Sequence, residues 1–366
     1  MRVLVAPQEF KGSLSADEAA AAIARGIRRA RPRWEVDVLP LADGGPGFLD
    51  AIRRSVESNV VGSVVHDALG RKVGARSLRL RGQATAVIEA AQANGLLHVA
   101  PAERDALAAD SFGVGELIAG ALDGRTKRIV VGVGGSATTD GGVGMARALG
   151  ARFFDADGEE LPPGGGPLAR LSRMVWQKPA ALEGVEVVVA CDVRNPLTGP
   201  DGAAAVYGPQ KGATPGQVQL LDQALERFAA VVRDSLGVDI ADMPGAGAAG
   251  GLAAGLVAFL GARVESGFEI VADVTGFDAR LALADVVVTG EGSYDGQSGE
   301  GKTTGQVLAR AAAAGKLGVV LAGRSSVPHV RTLLDLEPDE ETAMARAAGL
   351  LEELAARWAA ETAAAQ

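Results

Sequence analysis

The sequence predicts an α/β fold whose strands are buried and mostly parallel. Three observations carry this. Short aliphatic runs recur, each stopped by Gly, Asp, Pro or Ser; helical stretches separate many of them; and Ala, Val, Leu and Gly dominate while only 4% of residues are aromatic. Strands covered by helices on both faces read as continuous aliphatic runs rather than alternating ones. At 366 residues the chain exceeds the size of one core, so two domains are expected.

The strands are expected at Arg2–Ala6, Val36–Leu41, Ala86–Glu89, Arg128–Val133, Val185–Ala190, Asp285–Thr289 and Leu317–Leu321. The first helix, Ala16–Ala30, starts just after Lys11, with Ser15 as N-cap and Glu18 three residues on, the pattern of a capping box. Further helices are expected at Ser111–Leu122, Val143–Leu149, Gln217–Leu236, Leu252–Leu260 and Thr304–Ala314. A last one, about Asp339–Ala363, carries Ala347, Leu350, Leu351, Leu354 and Trp358 on one stripe and should dock on the core. The Pro/Gly cluster Leu161–Pro167 reads as a surface loop. Domain boundaries are expected near residues 66 and 275, where strand-dense ends give way to a loop-rich middle.

Composition excludes several classes. A net charge of -9 without a Lys/Arg stripe argues against nucleic acid as a partner. Cys191 stands alone, so neither a disulfide framework nor a cysteine metal site is available, which fits a reducing compartment. His66, His98 and His329 lack zinc-ligand spacing, and no G-x-S-x-G elbow occurs. The start MRVLVAP lacks a signal-peptide pattern, and no apolar run reaches the roughly 18–20 residues of a membrane span. The cytoplasm is the expected location.

Three glycine-rich patterns compete as nucleotide sites. GQSGEGKT at Gly296–Thr303 matches G-x-x-x-x-G-K-T, in which backbone N–H groups and a lysine cradle phosphates. Its first glycine should follow a strand directly, yet Glu291–Asp295 intervene, so another kind of phosphate-contacting turn, or a solvated Lys302, competes with it. GVGGSA at Gly132–Ala137 imitates a dinucleotide fingerprint, with RIVV before it and Asp155 about 20 residues on. There the helix should begin at the second glycine, but Thr138–Gly142 prolong the loop. PGAGAAGG at Pro244–Gly251 opens an apolar helix, and its small residues suit either an anion or close packing against another element.

Carboxylates and lysines recur at strand ends, where open α/β sheets place ligands: Lys11 in EFKGS, Asp43 in LADGG, Asp192 in ACDVRNP, and Glu291 and Asp295 in TGEGSYD. Singly, each reads as a cap or turn former. Jointly they supply what phosphoryl transfer needs: a carboxylate for Mg²⁺, one to receive the hydroxyl proton, and cations for the charge on the transferred group.

In order, the blocks VLVAPQEFKGSLSA (3–16), LPLADGGPG (39–47), DALGRKV (67–73), VIEAAQANGL (87–96), GVGELI (113–118), VVGVGGSATTDGGVGM (130–145), ACDVRNPLTGPDGAAAVYGPQKGAT (190–214), MPGAGAAGGLAAG (243–255) and VVTGEGSYDGQS (287–298) resemble the bacterial type-1 glycerate kinase family. The resemblance covers nearly the whole chain. It implies a Rossmann-like lobe from residues 1–66 plus 275–366 and a second α/β lobe, 67–274, inserted between them. It also implies ATP and Mg²⁺ as donor and metal, D-glycerate as acceptor and 2-phosphoglycerate as product.

Carried onto matching positions, the catalytic candidates are Lys11, Asp43, Asp192 and Glu291, with Lys11, Asp43 and Asn195 on the acceptor and Asp192 and Asp295 on the metal. Gly134, Gly135, Ser136, Lys211, Gly245, Gly247, Gly250 and Gly251 fall to the nucleotide. On this reading a cleft between the lobes holds both substrates, and partners are small molecules, with a homodimer left open. The chain departs from the commoner family pattern at Gln8-Glu9 (often Asp-Ser), Pro46 (often Glu) and Phe48 (often Thr), and after Leu321 it is shorter. An NAD-dependent oxidoreductase of a hydroxy acid and a non-catalytic sugar-acid binder are the alternatives.

Overall fold

The computed structural model describes residues 1–295 and 303–362. In chain order its strands begin with β1 (Arg2–Val5) and β2 (Glu35–Val38). Then come β3 (Ser58–His66), β4 (Lys72–Leu80), β5 (Thr85–Glu89), β6 (Arg128–Gly132), β7 (Arg152–Phe154), β8 (Arg173–Val175), β9 (Glu186–Ala190) and β10 (Arg263–Glu265). The last are β11 (Val286–Thr289), β12 (Ser293–Tyr294), β13 (Leu317–Ala322), β14 (Arg324–Ser325) and β15 (Arg331–Thr332). The mixed α/β class with parallel sheets is the one the sequence predicts.

The chain divides into two compact units: Met1–Asp43, Asp50–Ser55 and Phe268 onward form one, Gly44–Leu49 and Val56–Gly267 the other. The first unit holds an all-parallel sheet in the order β15-β13-β11-β1-β2. Val3, Val5, Val286 and Val288 are buried at its centre. Helices Ala16–Ala30 and Ala347–Thr362 share its core, through Ala19, Ile23 and Ile27 on one and Leu351, Leu354 and Ala355 on the other. The predicted capping box is present: the Ser15 hydroxyl accepts from the Glu18 N–H, and the Glu18 carboxylate accepts from the Ser15 N–H.

The second unit is built on the order β10-β9-β6-β5-β4-β3, parallel from β10 to β5 and antiparallel on either side of β4. Ile88, Val131 and Val189 bury one face against helices that include Phe112–Ala121 and Leu252–Leu260. The boundary expected near residue 66 falls at the end of β3, every residue of which pairs with β4. This hairpin escapes sequence reading because β3 is an edge strand with exposed Asn59, Val60, Gly62 and Val64, and so lacks the aliphatic run of a buried strand. The boundary expected near residue 275 falls at the end of the helix Gly267–Thr275.

Two expected elements need correction. The last helix is not continuous but breaks into Glu340–Ala345 and Ala347–Thr362, with Arg346 at φ -107°, ψ 12° between them. No Gly or Pro marks the break. The stripe Ala347, Leu350, Leu351, Leu354 and Trp358 is buried as expected. Strand β2 ends at Val38 rather than Leu41, although Leu39 and Leu41 still donate to Val5 and Pro7 and carry the chain on toward Asp43.

Candidate functional site

Parallel strands put all their C-terminal ends on one edge of a sheet, and loops leaving that edge converge. In the first unit this edge carries Gln8 after β1, Asp43 after β2 and Glu291 after β11. Gln8 is buried, its N–H donates to the Gly290 carbonyl at 2.8 Å, and its side-chain Nε2 donates to Asp43 Oδ2 at 2.6 Å. The residue that departs from the family pattern therefore orients a candidate carboxylate. Lys11 is exposed on the same loop; a Cβ added to Gly292 would lie 3.0 Å from its backbone nitrogen, so the Lys11 and Glu291 loops run side by side. Glu291 is nearly buried, and Asp295 follows β12.

In the second unit the equivalent edge carries Glu89 at the end of β5, the loop that leaves β6 at Gly132, Asp192 after β9 and Ser266 after β10. Ser266 Oγ donates to Asp192 Oδ1 at 2.6 Å and fixes that carboxylate. Glu89, a buried acid that sequence reasoning did not single out, accepts from the Leu49 N–H and from Gln92 Nε2, both at 3.1 Å. Its signals in the sequence are its place in the block VIEAAQANGL and at the end of the expected strand Ala86–Glu89.

The glycine loops are shaped by close backbone approach. Side chains at Gly134 and Gly135 would run into Gly45 and the Pro46 ring, and the Gly134 N–H donates to the Gly44 carbonyl at 3.0 Å. Ser136 is buried and bridges to Gly95. No helix follows the second glycine of GVGGSA: the chain stays irregular until Val143, so the dinucleotide fingerprint lacks the helix N-terminus on which it depends. At Gly247 and Gly250 a Cβ would collide with the Pro196 and Thr138 carbonyl oxygens, and at Gly251 it would press on Gly141. Gly245, at φ +85°, faces the Val193 carbonyl. Of GQSGEGKT, residues 296–302 lie outside the described residues.

Asn195 is half-buried and Lys211 buried, and both bond to neighbouring protein groups. Asn195 accepts from the Tyr207 hydroxyl at 2.7 Å and donates to the Asp201 carbonyl at 2.8 Å. Lys211 is 2% exposed, its Nζ donates to the Thr138 carbonyl at 2.6 Å, and burial pushes its pKa down to about 7 against the pull of Asp140. Asp140, fully buried, accepts from the N–H groups of Ser111, Gly142 and Gly144 and from the Ser111 hydroxyl. Lys211 holds the loop 138–144 from outside through Thr138, and Asp140 holds it from within through Gly142 and Gly144 and ties it to Ser111. The second unit thus gathers Asp192 and Glu89 at its strand ends and places Lys211 in a buried anchor.

The chain matches the model of the glycerate kinase family over residues 3–363. It is 45% identical to a glycerate kinase of Bacillus subtilis (strain 168), over 83% of this chain and 80% of that one. It is 43% identical to a glycerate 2-kinase of Escherichia coli (strain K12), over 82% and 80%. A crystal structure described as a candidate glycerate kinase 2 from Salmonella typhimurium LT2 superposes with a TM-score of 0.81 at 41% identity, covering 100% of this chain and 99% of the other.

Proposed function

The chain belongs to the glycerate kinase family, and from that membership we propose that it moves the terminal phosphoryl group of ATP onto D-glycerate, giving 2-phosphoglycerate. The family match from residue 3 to residue 363 carries the reading. The name of the Escherichia coli relative supports attack by the 2-hydroxyl.

Phosphoryl transfer is mostly positioning and charge stabilisation, so the useful groups are those already oriented. Asp43, held by the Gln8 amide, is assigned to orient the attacking hydroxyl and receive its proton. Lys11, exposed on the neighbouring loop, supplies the cation for the acceptor carboxylate or the phosphates. Lys211 is buried on the Thr138 carbonyl, and its role here is to hold a loop. Pro46 and Phe48 replace polar residues of the family pattern and pack against Gly135 and Gly132, so no carboxylate is expected to act from either position.

Among the described residues no three His, Cys, Asp or Glu side chains gather into a metal cage. Mg²⁺ in kinases takes one or two carboxylates and completes its shell with phosphate oxygens and water, so single acids such as Asp192, oriented by Ser266, and Asp295 fit as donors. The ion would supply charge neutralisation on the phosphates.

A coupled ADP-release assay with D-glycerate, with the product identified by phosphorus NMR, tests the reading. Asp192→Asn should lose about 100-fold or more in kcat, and Lys11→Met should raise KM for glycerate or ATP. Full turnover with unchanged Mg²⁺ dependence in Asp192→Asn removes that residue from the metal role. Nicotinamide-dependent absorbance change without ADP release sinks the kinase reading itself.

A further inference from the structure

Each of the two main sheets ends in two edge strands, and three of these four edges are protected in the usual ways. β10 has three residues, two of them charged (Arg263 and Glu265); β15 has two residues; and β2 carries Glu35 and Asp37. Short edges and charged side chains prevent edge-to-edge pairing. β3 has neither: it runs nine residues, SNVVGSVVH, with no charge and no proline. Val60 is 51% and Val64 70% exposed on it. Beside Val64 an open groove of about 490 Å³ runs over Gly62 and Gly74, at which an added Cβ would meet nothing within 4 Å.

The backbone fixes which residues of β3 offer hydrogen bonds outward. Arg81 donates to Glu57 and Asp67 donates to Arg71, so the odd-numbered residues of this antiparallel pair bond to β4. The even-numbered ones point away, as the His66 N–H confirms by donating to Glu116 instead. Ser58, Val60, Gly62 and Val64 therefore present the outward groups. Within this set Val60 and Val64 are placed symmetrically about Gly62, two residues to either side. An antiparallel pairing of β3 with its own copy about a two-fold axis at Gly62 sets Val60 opposite the partner's Val64. The three central positions then exchange two hydrogen bonds each, and the exposed valines cover one another.

We infer that β3 is a self-association edge, and that two copies of this chain join their second-unit sheets through it with Gly62 on the symmetry axis. In that register the two Gly62 Cα atoms lie about 5.5 Å apart, within the range a disulfide spans. The two Val60 positions are four residues out of register, about 13 Å apart.

Sedimentation velocity on the full chain between 1 and 100 µM should show a dimer that Val64→Lys converts to monomer. Gly62→Cys should form a covalent dimer under mild oxidation, whereas wild type, which has only the buried Cys191, and Val60→Cys should not. The Gly62 backbone is outside the left-handed region and its side-chain position is empty, so the replacement is tolerated in the fold. Monomeric wild type at 100 µM overturns the inference. So does a dimer that survives Val64→Lys, or cross-linking through Val60→Cys in place of Gly62→Cys.

Discussion

Asp110 shows how burial sets the behaviour of a single residue in the second unit. Desolvation first, and the neighbouring Asp140 second, raise its carboxyl from the ordinary 3.8 to about 6, although it accepts the Phe112 N–H. A folded-state pKa above the unfolded one means that the proton is held more tightly by the native protein. The stability this provides is complete below about pH 3.8 and lost as pH rises through about 6. Asp110→Asn keeps an acceptor for Phe112 and carries no charge. Urea unfolding should find it more stable than wild type by about 1–3 kcal/mol at pH 7.5, with no gain at pH 4. An unchanged or larger gain at pH 4 would show that the burial penalty is not the cause. Asp140 is buried too, and its carboxylate is satisfied by four accepted hydrogen bonds. Asp140→Ala strips the anchor from loop 138–144 and should cost about 3–5 kcal/mol in the same experiment. A cost below 1 kcal/mol would mean the loop holds without it.

The same reasoning at the scale of elements explains why Ala16–Ala30 and Ala347–Thr362 lie so close. At Gly26 an added Cβ would collide with the Glu352 carbonyl oxygen and stand 3.0 Å from Ala355 Cβ. Arg25 and Arg29 reach Glu352 and Glu353 across the contact, but such exposed ion pairs contribute little. Gly26→Ala gains the usual helix preference of about 0.5–1 kcal/mol and loses more by forcing the helices apart, about 1–3 kcal/mol. A lower Tm is expected, while Gly349→Ala, on an exposed face of the second helix with nothing within 4 Å, should leave Tm unchanged or raise it. Equal effects at the two sites would refute the packing argument. The helices Phe48–Ser55, Gly267–Thr275 and Phe277–Leu283 were not expected. The expected ones were legible because their apolar stripes and caps are local, and their ends fall within two residues of the expected positions. The break at Arg346 and the β3–β4 hairpin were not, since no local residue encodes the first and the second is exposed along one edge.

For the whole molecule, the first unit is assembled from both ends of the chain, and its core depends on the last helix. Removal of residues from Ala347 onward takes Leu351, Leu354, Ala355 and Trp358 from β1, β11 and the helix Ala16–Ala30. It also removes the edge-to-face contact of Trp34 with Trp358, whose ring centroids are 6.1 Å apart. Hydrogen exchange on the truncated chain should show β1 and β11 unprotected while β6 and β9 keep native protection; protection retained in β1 would contradict this. The sequence by itself determined the fold class, the candidate carboxylates at strand ends and the family, because aliphatic runs, caps and ordered motif blocks are written in consecutive residues. Only the tertiary structure decided that Gln8 holds Asp43, that Ser266 holds Asp192, that Glu89 is buried at a strand end and that Lys211 is an anchor. Those facts depend on which residues, 35 to 74 positions apart, fold into hydrogen-bond distance, and spacing along a chain does not carry that information.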